Sequence, residues 1–185
     1  MRRSIAYQLS ALAFVSLVNP VSGMPVTRPH HAPPPPTPRI LAFDHMYGVD
    51  GPFVGEANGI RGIPGDELPW AVARFIKGRL DTFGHLQIQV RGLVFADKPE
   101  VPPELRGKND ESEFRAEVSC LTEQSESEVG TTNVTTAGFR ATEGGDSDID
   151  AHIVLPNPCV APVVFVIAGS EDKWFAVTGF ESAGD

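Results

Sequence analysis

Apolar and polar residues alternate along this chain in short runs, and no stretch sustains the 3.6-residue apolar period of an amphipathic helix. Over residues 85–90, Leu86, Ile88 and Val90 fall on one side of an extended chain and His85, Gln87 and Gln89 on the other, because strand side chains alternate. A strand over 70–80 precedes it, and Asp81-Thr82-Phe83-Gly84 between them predicts a hairpin whose connection ends on glycine. Residues 112–121 repeat the pattern, with Phe114, Ala116, Val118 and Cys120 expected inward and Glu113, Arg115, Glu117 and Ser119 outward. Further strands are predicted over 128–135, 148–155, 162–168 and 173–178, separated by Gly, Pro, Asn and Ser clusters. Within them Val163-Val164-Phe165-Val166-Ile167 lacks polar alternation and is expected in a central strand covered on both faces. The Gly-rich segment 55–65 reads as a loop leading into the strand at Trp70, and the charged, Pro-rich segment 96–110 as a loop between strands. The expectation is an all-β fold: one antiparallel β-sandwich of about seven or eight strands, immunoglobulin-like in general architecture only.

The 185 residues leave room for one domain with appendages. Residues 1–23 carry Arg2 and Arg3, then an apolar stretch too short to span a bilayer, then the small residues Ser22 and Gly23, the order of a secretory signal peptide. Residues 24–39 contain seven prolines in sixteen positions and read as an extended tether, leaving 40–185 for the sandwich. Loss of the signal would take the formal charge from −9 to −11, the wrong sign for a protein that neutralises phosphates. Nucleic acid is therefore excluded as an expected partner, and no stable transmembrane span is expected. The partner class is an unknown extracellular protein or glycan, met outside the cell or in its envelope.

The two cysteines, Cys120 and Cys159, are expected to form a disulfide, since an even count in an exported chain argues for pairing. No Cys-x-x-Cys motif is present, so a reactive thiol is the weaker reading.

Candidate chemistry is sparse. Asp146, Asp148 and Asp150 form the one dense carboxylate run with metal-like spacing, offering oxygen ligands to Ca²⁺, although the EF-hand positions for Gly and Glu hold Ala151 and Asn157. The competing explanation is the polar side of a strand whose apolar side is Ile149, Ala151, Ile153 and Leu155. Glu171 and Asp172 beside Trp174 resemble an acid pair with a sugar-stacking ring, but fit a solvated turn better. There is no G-x-S-x-G and no H-E-x-x-H, and His45, His85 and His152 are far apart in sequence. Asn133-Val134-Thr135 is a glycosylation sequon, relevant if the source is eukaryotic. No cofactor is indicated. The leading expectation is a secreted or cell-envelope binding or structural module using loops such as 96–110 and 124–130. The alternative is a small secreted hydrolase or Ca²⁺-dependent carbohydrate-binding protein centred on Asp146, Asp148 and Asp150.

The ordered series Gly59-Ile60-Arg61-Gly62, Leu68-Pro69-Trp70, Val90-Arg91-Gly92-Leu93-Val94, Phe114-Arg115-Ala116, Leu155-Pro156-Asn157-Pro158-Cys159 and Trp174-Phe175-Ala176-Val177-Thr178-Gly179 resembles a group of small exported bacterial proteins of actinobacterial type. The resemblance implies a β-sandwich with Cys120 paired to Cys159 and implies no catalytic residue. True immunoglobulin domains carry a tryptophan between their cysteines, whereas Trp70 and Trp174 both lie outside.

Overall fold

The computed structural model describes residues 38–125 and 128–179, which build a nearly all-β fold of two packed antiparallel sheets. The proposed signal peptide and nearly all of the proline-rich tether lie outside these residues. Ten strands follow in order: β1 (Arg39–Phe43), β2 (Met46–Gly48), β3 (Trp70–Asp81), β4 (His85–Phe95), β5 (Glu113–Ser125), β6 (Glu128–Thr135), β7 (Phe139–Arg140), β8 (Ser147–His152), β9 (Val160–Ala168) and β10 (Trp174–Thr178). One sheet has the order β1-β3-β4-β8. The other runs β2-β10-β9-β5-β6, with β7 also paired to β5. The strands absent from the sequence reading are β1, β2 and β7: β2 and β7 have three and two residues, too few for a periodic signal, and Arg39-Ile40-Leu41-Ala42-Phe43 of β1 shows no polar–apolar alternation.

The predicted hairpin joins β3 to β4, with Leu80 opposite Leu86. Its turn needs Gly84, which has φ +80°, and a Cβ there would lie 2.0 Å from the Ile153 carbonyl oxygen. Asp81 closes the turn by accepting from the Phe83 and His85 amides at 2.8 and 3.0 Å.

Alternate residues of the two sheets fill the space between them: Ile76, Leu80, Leu86, Ile88 and Val90 on one side, Phe114, Ala116, Val118, Val164 and Val166 on the other, all essentially without solvent exposure. Near one end Trp70 stacks on Phe175 with centroids 3.9 Å apart, and Phe114 meets the same ring edge-on. The Trp70 indole N–H donates 2.8 Å to the buried carboxylate of Asp66. Cys120 and Cys159 are bonded across 39 residues, tying β5 to the entry of β9.

The outward assignment of Glu117 and Ser119 does not hold, since they are 6% and 0% exposed. On that side of the second sheet they share a face with Phe165 and Val163, their register partners on β9. The segment between β2 and β3 folds across this face. Pro64 accepts from the Trp174 amide, Arg61 donates to the Ala161 carbonyl, and the Arg61 carbonyl accepts from Asn133 on β6. Its Phe53 ring sits 6.4 Å from Trp174, whose other neighbour is Phe165 at 6.2 Å. This cover makes β9 buried on both faces, as its unbroken apolar run predicts.

Candidate functional site

The four-stranded sheet leaves its outer face open, and the register of β3, β4 and β8 sorts the side chains there by charge. Arg79 lies opposite Gln87, and Gln87 opposite Asp150. One step along, Lys77 lies opposite Gln89, and Gln89 opposite Asp148. Cross-strand partners point to the same side, so each row reads cation, amide, carboxylate over strands about 4.8 Å apart. A shallow groove of about 750 Å³ runs over these rows, bounded at the basic side by Arg39 and Ala42 of β1 and by Asp44 just after it.

Asp146, Asp148 and Asp150 do not converge on one point. They alternate along β8 and its approach, about 6.6 Å from one to the next, and each faces its own partner. Asp146 pairs with Arg74 and accepts 2.9 Å from the Gly92 amide, Asp148 pairs with Arg91 at 2.7 Å, and Asp150 accepts from His85 and Gln87 at 2.8 and 2.7 Å. The Arg74 hydrogen bond holds the Asp146 carboxyl below the ordinary carboxylate range, and the bond from Gln87, then that from His85, does the same for Asp150. Carboxylates held ionised in this way are acceptors, not proton donors. Ile149, between them in sequence, is 2% exposed in the core, in keeping with the alternating-strand reading.

Sequence spacing concealed one pair. His85 and His152 are register partners on β4 and β8, with rings stacked 4.4 Å apart at the end of the same face. Only the pairing of strands far apart in sequence brings them together, so no motif could have flagged them.

Elsewhere, Asp66, Glu67 and Glu171 form the one group among the described residues whose ligand-type oxygens gather within 4.8 Å. The Lys173 ammonium already occupies the cation position, bonded to Glu67 and Glu171, and these bonds push its pKa well above the ordinary lysine value. Burial pushes the Asp66 carboxyl up, though the Trp70 indole bond works against that. Burial also raises Glu117. Both acids lie outside the groove. Trp174 is 2% exposed, so its ring offers no stacking surface to a sugar. Asn133 is exposed on β6, and its amide nitrogen, the atom a glycan would take, donates 3.2 Å to the Arg61 carbonyl. The loop 96–110 is pinned to the sandwich: Val101 is fully buried, Asn109 donates to the Glu111 and Thr142 carbonyls, and Lys98 pairs with Asp50. The expected loop 124–130 is mostly strand: residues 124 and 125 end β5 and 128–130 begin β6, with Ser125 opposite Glu128, and residues 126 and 127 lie outside the described residues.

The chain matches no protein-family model, no curated protein and no solved structure. The resemblance of the residue series to exported bacterial proteins stands on those residues alone. Among the described residues no helix is long and apolar enough to cross a membrane.

Proposed function

We propose that this chain is an exported binding module, secreted or held in the cell envelope, that takes its ligand on the outer face of the four-stranded sheet. The observation that carries this reading is the groove over the Arg79–Gln87–Asp150 and Lys77–Gln89–Asp148 rows, where rigid strands present ordered donors and acceptors at a fixed pitch. Export is supported by the signal-like first 23 residues and by the disulfide, a bond that persists in oxidising compartments.

Binding is favoured over hydrolysis by the state of the carboxylates. A general acid needs a raised pKa, and Asp146 and Asp150 are shifted the other way. Glu117 and Asp66 are shifted upward but are buried away from the groove.

The test is a glycan and extracellular-protein array probed with the wild-type chain and with Gln89→Ala, whose exposed side chain can be removed without touching the core. The expected result is a ligand whose signal falls at least fivefold in the variant at unchanged Tm. Absence of any groove-dependent ligand would overturn the reading, as would turnover of a glycan or ester that disappears in Asp148→Asn.

A further inference from the structure

We infer that the groove binds an acidic oligosaccharide, a chain of sugar rings carrying carboxylates. This rests on the groove being the binding face, and adds the chemical class of what lies in it.

Among the described residues, Arg39 and Arg79 have no ion pair or hydrogen bond, and Lys77 meets only the Phe75 ring, 5.1 Å from its centroid. Away from the groove, every described Lys and Arg except Arg61 and Arg140 pairs with a carboxylate, and Arg61 donates to a backbone carbonyl. Acids outnumber bases by 24 to 15 in this chain, so partners for these cations are plentiful. Three cations left unpaired along one wall, against the single carboxylate of Asp44 on that side, make a local site for negative charge on an acidic molecule.

The rest of the groove argues against a simple polyanion. Gln89 also lacks a partner among the described residues, and an amide both donates and accepts. On the far wall Asp148 and Asp150 are acceptors whose side chains remain 69% and 62% exposed. Acceptors of that kind call for hydroxyl donors, which the ionised side chains of an acidic peptide do not supply. A ligand satisfying all three columns at once bears anions on one edge and hydroxyls on the other, which is the layout of a uronic-acid ring.

The experiment is titration calorimetry of the full chain at about 0.15 M salt with three probes: a galacturonic acid hexamer, the uncharged glucose hexamer cellohexaose, and a polyglutamate of matching charge. The galacturonate is expected to bind, with cellohexaose and polyglutamate each at least about tenfold weaker. Lys77→Ala and Arg79→Ala, both at exposed positions, are each expected to weaken galacturonate about tenfold, the worth of one charge-assisted hydrogen bond, at unchanged Tm. Gln89→Ala is expected to weaken whatever sugar binds. Equal binding of cellohexaose overturns the requirement for acid, and equal binding of polyglutamate overturns the requirement for sugar. No binding of galacturonate overturns the inference outright. The array experiment keeps the two failures apart: a groove-dependent neutral ligand there removes only the acidic-sugar inference, whereas no groove-dependent ligand removes both.

Discussion

Removal of the Cys120–Cys159 bond should lower the stability of the sandwich by about 4 kcal/mol. The bond closes a 39-residue separation, and the chain-entropy relation assigns a loop of that size about 13 cal/mol/K of denatured-state entropy, or about 4 kcal/mol at 25 °C. In the folded state the linkage restrains little that is not already restrained, because β5 and β9 are hydrogen-bonded neighbours with Leu121 opposite Val160, the residue after Cys159. The effect therefore falls mainly on the unfolded chain. Against a domain stability of about 5–15 kcal/mol the loss is large, and the fold gains that much only where the bond can form. The measurement is urea unfolding followed by circular dichroism, comparing wild type with the double variant Cys120→Ala, Cys159→Ala, and oxidised with reduced wild type. With m near 2 kcal/mol/M the midpoint should fall by about 2 M, and m should rise because an uncrosslinked denatured chain exposes more surface. A loss under about 1 kcal/mol with unchanged m would refute the reasoning, since it would mean that the denatured chain keeps β5 and β9 together without the bond.

Two buried acids give further expectations. Burial raises the folded pKa of Glu117 above 4.5, so its ionisation costs stability that is lost progressively as pH climbs from the unfolded value to the folded one. Glu117→Gln should be more stable than wild type at pH 7, with the gap closing below about pH 4.5 in paired thermal melts; a constant gap across that range would show that charge is not the cause. Asp66→Ala strands the Trp70 indole N–H in the core and should cost about 1–3 kcal/mol in urea unfolding, whereas Asp66→Asn keeps an acceptor and should cost less; equal losses would deny the hydrogen bond its role.

The longer strands were legible in the sequence, among them the β3–β4 hairpin from its alternation and the two-faced burial of β9 from its unbroken apolar run. The Asp148 and Asp150 positions were legible as the polar side of a strand. Glu117 and Ser119 were misread for a definite reason. Alternation tells which residues share a side, but a segment folding back from 49–69 decides whether that side meets water. The groove was illegible for a related reason. Arg79, Gln87 and Asp150 come from three strands, and β8 reaches β4 only after the chain has passed through β5, β6 and β7 of the second sheet. His85 and His152, apart in sequence and stacked in space, are the plainest instance.

What the sequence determined by itself was local: the extended backbone, the turn at Gly84, and two cysteines available to pair. Each follows from residue-scale sterics, side-chain period or covalent chemistry. The tertiary structure decided which strands became neighbours and in what register, because that choice rests on burying apolar faces contributed by the entire chain. The columns of cation, amide and carboxylate exist only once that register is set.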